Sequence, residues 1–163
     1  MIQRKQSLFL ALAALCVGLM FLFPIASYTM VAADDGSTGS VVFGALGVTM
    51  NGQTPLFAPD PIVPIYAVAA VAIAILLFII FLYKQRARQV RFANFAYMLL
   101  LGLFAAVFMA EHSLGSLMEA KGGTQGSYGL SYFLPLVSLA FVFLAVRAIK
   151  ADEALVKSAD RLR

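Results

Sequence analysis

Apolar positions along the chain collect into four long runs separated by polar or charged stretches. Residues 8–31 are interrupted mainly by Pro24 and a few small polar residues, and residues 62–83 carry no charge. Residues 92–110 have Asn94 as their one strongly polar member, and residues 130–146 hold two serines and Pro135. A bilayer's hydrocarbon core of about 30 Å takes about 20 helical residues to cross. The first three runs reach that length. The fourth reaches it by recruiting Tyr128 and Gly129 at one end and letting Arg147 snorkel at the other. The pattern predicts an all-α membrane fold, a bundle of four transmembrane helices over about 8–31, 62–83, 92–110 and 128–147, in a single integral membrane domain.

The segments between the runs add detail. Outer loops fall at 32–61 and 111–127, and a tail at 148–163. In the first loop, 40–50 and 53–58 flank Asn51-Gly52, a pair that tolerates the positive φ of a type I′ turn. A small outer β-hairpin between helices 1 and 2 is therefore predicted. In the second loop the third helix continues to Ala120 and breaks at Gly122-Gly123. In the tail, Ala148, Ala151, Leu155, Ala159 and Leu162 recur at spacings of three and four, so the fourth helix runs on with a narrow apolar stripe. Leu155, Ala159 and Leu162 are its candidate partner-docking residues.

Charge supplies the orientation. Of the 12 Lys and Arg, all but Lys121 lie before the first run, between the second and third, or after the fourth. If the runs alternate direction, these all fall on one side, which the positive-inside rule makes the cytoplasm for both termini. Asp34, Asp35, Asp60, Glu111 and Glu119 fall on the other. The basic link with Lys84, Arg86, Arg88 and Arg91 fixes topology and is a candidate contact for anionic lipid headgroups. The start offers a competing pattern, since Val31-Ala32-Ala33 resembles a signal cleavage site. The apolar run before it is long for a signal core and favours a retained helix.

Composition agrees with a membrane chain, at 62% hydrophobic and 12% charged residues with a mean hydropathy of +0.91. Soluble domains carry about 25% charged residues. The net charge of +4 therefore reads as topology and not as an affinity for nucleic acid. A single cysteine, Cys16, excludes an intrachain disulfide. Small residues at four-residue spacing, Ala70 and Ala74 in the second run and Gly102 and Ala106 in the third, are candidate helix-packing positions. They serve inside the bundle or, alternatively, at a homo-oligomer face.

Little in the chain looks chemical. Glu111, His112 and Glu119 form a candidate outer polar cluster, but adjacent helical residues do not share a face. No metal-binding or nucleophile motif occurs, and no charged residue lies mid-run, where proton relays need one. No catalytic residue, metal or cofactor is predicted. The expected role is a non-catalytic scaffold or accessory subunit of a membrane complex. The alternatives are a carrier of a small hydrophobic or lipid molecule, and a membrane enzyme using Glu111 and His112.

The two ends of the chain are the most distinctive. Met1-Ile2-Gln3-Arg4 with Gln6, the basic link, Arg147-Ala148-Ile149 and the run from Asp152 to Arg163 resemble a four-span inner-membrane family of the Bacteroidota, number 4293 in the domain-of-unknown-function series. The resemblance covers the whole chain. It implies a bacterial cytoplasmic membrane and four spans, with lipids and a membrane-protein partner or second copy as neighbours. It carries no activity and no catalytic residues. Val146 departs from the asparagine common at that point in the family.

Overall fold

Pro24 divides the first apolar run. Its ring offers no N–H to a helix and disfavours a helical conformation at Phe23. In the computed structural model, which describes residues 3–31, 38–51, 64–82, 85–120 and 122–160, helix α1 (Gln3–Leu19) accordingly stops before it. The chain then winds through short turns, with Met20 N–H on Val17 O at 3.2 Å and Leu22 N–H on Leu19 O at 3.0 Å. Beyond Pro24 the residues alternate. Ala26 and Tyr28 point inward, while half-buried Ser27 and exposed Thr29 point out, the period of a one-sided strand. They form β1 (Ala26–Val31). The expected helix over 8–31 is thus a helix, a turn and a strand.

The remaining described elements are β2 (Thr38–Gly44), β3 (Gly47–Met50), α2 (Ile65–Phe81), α3 (Arg86–Ala120), β4 (Thr124–Tyr128) and α4 (Leu130–Asp160). The chain is mostly helical with one four-stranded antiparallel sheet in the order β3-β2-β1-β4. The predicted hairpin exists, but its turn lies earlier. Gly44 pairs with Gly47 around Ala45-Leu46, and Gly47 at φ 139° supplies the backbone that other residues avoid. Asn51, at φ 48°, instead finishes the far end of β3. There its N–H reaches Ser40 O at 2.9 Å, and its Oδ1 accepts from Ser40 N–H at 3.0 Å. The second arm predicted over 53–58 lies outside the described residues. Residues 124–128, read from sequence as loop and as the start of the fourth span, are strand β4, and the fourth helix begins at Leu130.

Helix α3 ends where two glycines allow it. Gly122, at φ 75°, places its N–H on Glu119 O at 3.0 Å and that of Gly123 on Met118 O at 2.8 Å. Such left-handed caps satisfy the last carbonyls of a helix. Helix α4 runs 31 residues, carrying the tail on as one helix. Helices α3 and α4 are long and apolar enough to cross a membrane. Helices α1 and α2 are apolar but shorter, 17 residues each.

The helices form a four-membered ring in which α1 packs on α2 and α4, and α3 packs on the same two. Gln6 reaches Ala148 and Ser138 reaches Ala13, so α1 and α4 are antiparallel. Phe78 and Phe92 meet edge to face with centroids 5.5 Å apart, so α2 and α3 are antiparallel too. The sheet caps the end where α1 and α3 finish and α4 begins.

Candidate functional site

The outer polar cluster is rebuilt by the sheet. Glu111 lies on the face of α3 that meets β1 and is buried, whereas His112 and Glu119 are exposed. The partner of Glu111 is Tyr28. Its phenol donates to Glu111 Oε1 at 3.0 Å and lies 3.4 Å from the Glu111 carbonyl oxygen. Gly115, one turn on, lies beside it, and a Cβ there would sit in van der Waals contact with the Tyr28 oxygen at 3.4 Å. Burial pushes the Tyr28 phenol up from its ordinary value, and the hydrogen bond and negative charge of Glu111 push it the same way. Glu111 and His112 thus point apart, as adjacent helical residues must. From sequence alone, Tyr28 at the outer end of the first apolar run reads as an interfacial anchor. The signal that reveals its inward position is the alternation over residues 26–29, shortly after a proline.

A second constellation pins the turn around Pro24. Gly129 N–H donates to Ile25 O at 2.8 Å and Ser131 N–H to Pro24 O at 3.3 Å. Ser131 Oγ donates to Phe23 O at 2.6 Å. The free N–H groups that open every helix here satisfy carbonyls released by the break in α1. Gly129 is required by the closeness of the strands, because a Cβ on it would collide with the Pro24 carbonyl. Further along, Ser138 Oγ donates to Ala13 O at 3.1 Å. On the outer face of the sheet, Ser27 meets Ser127 at 3.1 Å and Thr29 meets Thr124 at 2.9 Å through their hydroxyls.

The small-residue stripes face the other way from the bundle's interior. Ala70, Ala74 and Gly102 are exposed and Ala106 is half-buried. A Cβ on Gly102 would touch nothing within 4 Å. The internal seams are made by Ala69 and Ala72 of α2 and by Ala93 and Ala96 of α3. Their positions follow the lines set by Leu76, Ile79, Leu100 and Leu103, all fully buried. The internal use expected for Ala70, Ala74 and Gly102 is corrected on this point.

At the other end, Arg88 and Arg91 are exposed on the opening turns of α3, with no acidic residue in the first turn. Cations at a helix N-terminus oppose its dipole, so helix stability does not account for them. Lys84 lies outside the described residues, as does the Arg86 side chain. Buried positions on the tail begin with Ile149 and Asp152, while Ala148 is half-buried and Ala151 exposed. The packed stripe is therefore rotated from the predicted one. Helix α4 carries Leu155 and Ala159, but their side chains, and Leu162 entirely, lie outside the described residues. Among the described residues no group of three or more His, Cys, Asp or Glu is placed to hold a metal ion.

No curated protein matches the chain. The model of one family, described as a domain of unknown function (DUF4293), matches residues 2–162. With nearly the whole chain matched, the protein belongs to the DUF4293 family.

Proposed function

We propose that the protein crosses a bacterial cytoplasmic membrane four times with both termini inside, and serves as a non-catalytic scaffold or accessory subunit of a membrane complex. One observation supports the membrane placement most strongly. Large apolar side chains lie on the outside of every helix, among them Leu15, Phe78, Met98 and Phe143, each at least 50% exposed. Inside lie small residues such as Ala69 and Ala72, the hydrogen-bonded Ser131 and Ser138, and bulky ones such as Leu76 and Leu100. In lipid the hydrophobic effect does not pull helices together, so large apolar side chains can face the tails while small residues and hydrogen bonds help to close the seams. A soluble core helix would be mostly covered, yet only 28% of the apolar window of α3 is buried.

The lengths fit four crossings if α1 and α2, about 25 Å each at 1.5 Å per residue, sit in a locally thinned bilayer, with Met20 to Phe23 adding apolar surface beyond α1. Orientation is supported by the described cations Arg88, Arg91, Arg147 and Lys150, all exposed at the end away from the sheet. The scaffold role is supported by the use of polar groups. Tyr28, Ser131 and Ser138 are spent on contacts that hold elements together. The exposed Ala70, Ala74 and Gly102 give a partner helix or second copy a surface for close approach.

Photocrosslinkers at Ala74 and Gly102 in living cells test the role. A discrete adduct, with a partner or a second copy, is expected at both positions. A protein that stays monomeric and forms no adduct at either sinks the scaffold proposal. A phosphatase fused after residue 163 should be inactive, and activity there would reverse the topology.

A further inference from the structure

The β2–β3 hairpin points back toward the helices. Strand β1 leaves the α1 turn at Ala26, which pairs with Phe43, and Ile25 N–H bonds Phe43 O at 2.7 Å. Gly44 to Gly47 therefore lie beyond the point where β1 begins, on the side of the bundle. The tip itself is apolar, formed by Ala45 and Leu46 between Gly44 and Gly47. Between the hairpin tip and residues 21–24 lies an open groove of about 320 Å³ with no charged residue in its walls. Leu46 on one lip is 73% exposed and Leu22 on the other 76%.

We propose that this hairpin tip is a membrane-interfacial foot, with the outer ends of phospholipid acyl chains filling the groove. The proposal rests on the four-crossing placement. The occupant follows from geometry. The apolar part of α1, Gln6–Leu19, spans about 20 Å, against a hydrocarbon core of about 30 Å. The bilayer flank beside α1 is thus met by Phe21, Leu22, Phe23 and Leu46 instead of by helix. Leu8 and Leu15, seven residues apart on one face of α1, are exposed apolar residues as well. The backbone groups of a turn cannot lie unpaired in hydrocarbon, which sets the tip at the headgroup boundary and not deeper. The opposite edge strand, β4, ends at Tyr128, level with Ala26 and Phe43, so within the sheet the hairpin tip reaches furthest toward the helices.

The test uses the full chain carrying Cys16→Ala and one new cysteine, labelled with an environment-sensitive fluorophore in vesicles of phosphatidylethanolamine and phosphatidylglycerol. Leu46→Cys probes the tip, Leu22→Cys the facing lip, Phe143→Cys the middle of α4 and Ser116→Cys the exposed extension of α3. Labels at Leu46 and Leu22 should be quenched by lipids with a nitroxide near the glycerol end of the acyl chain. Both should be shielded from aqueous iodide several-fold relative to Ser116. Iodide quenching at Leu46 equal to that at Ser116, with the Phe143 label still quenched by lipid, would overturn the foot alone. Loss of lipid quenching at Phe143 as well would overturn the four-crossing placement on which it stands.

Discussion

Tyr28 at the sheet end and Gln89 at the opposite end are both almost fully buried, at 2% and 1% exposure, and they are held in contrasting ways. Tyr28 gives its one hydroxyl proton to a carboxylate on another element. Gln89 donates through Nε2 to Ile79 O at 3.3 Å, a carbonyl already served by Leu82 N–H. Its Oε1 finds no partner among the described residues. The sheet end is therefore a junction of specific bonds between distant segments. The other end is a junction of helix surfaces, where among the described residues the pairing of Gln89 is incomplete. A leftover buried acceptor costs free energy, whereas a satisfied charged pair resists change.

The sharpest way to break this contrast is Gly129→Ala. The new methyl would drive the start of α4 off the Pro24 carbonyl and cost about 2–3 kcal/mol, the range of overpacking at a rigid site. Gly102→Ala, in open space on the outside of α3, should stabilise by about 0.5–1 kcal/mol because helical glycine is entropically costly. Denaturant midpoints of reconstituted protein compare the two. Equal small effects would mean that the sheet end is not rigid.

Tyr28→Phe comes next, at about 1.5–2 kcal/mol for a hydrogen bond to a charged group. Its phenol has a folded value raised above the ordinary one of about 10. The stability it contributes is complete below that ordinary value and is lost as pH rises through the raised one. An alkaline absorbance titration of the folded protein should thus place Tyr28 in a late step, after the exposed tyrosines ionise, and Tyr28→Phe should shrink that step by one group. An undiminished late step in the variant would assign it to other residues.

Much of the helical part was legible in the sequence because apolar runs and glycine breaks are local signals. The end of α3 at Ala120 and the single long α4 needed only Gly122-Gly123 and the absence of breakers after Pro135. The sheet was legible only in part, because strands depend on distant partners. Asn51-Gly52 is a good turn pair, yet the register between β2 and β3 places the turn at Ala45-Leu46. The Tyr28–Glu111 bond joins residues 83 positions apart, and no spacing rule reaches that far. Small-residue stripes misled for a related reason. Alanines are frequent on every face of α2, and only the neighbouring large residues Leu76 and Ile79 reveal which alanines point inward.

Serine contacts between α1 and α4 grade the contrast along the bundle. Ser131→Ala removes a 2.6 Å bond to the Phe23 carbonyl at the sheet end and should cost about 1 kcal/mol. Ser138→Ala, mid-helix on a carbonyl that is already inside a helical ladder, should cost nearer 0.6 kcal/mol, the average for polar contacts between membrane helices.

Gln89→Met is expected to have the smallest effect, and it tests the other side of the comparison. Met fills a similar volume without a polar group, and volume-conserving changes in a core are well tolerated. The Nε2 bond is lost, but Ile79 O keeps its bond from Leu82 N–H, and the buried Oε1 disappears with the amide. The two losses oppose each other, so stability should stay within about 0.5 kcal/mol of the parent, in contrast to Tyr28→Phe. A cost approaching that of Tyr28→Phe would show that the amide oxygen has a strong partner in the folded protein, and the two ends of the bundle would then be equally specific.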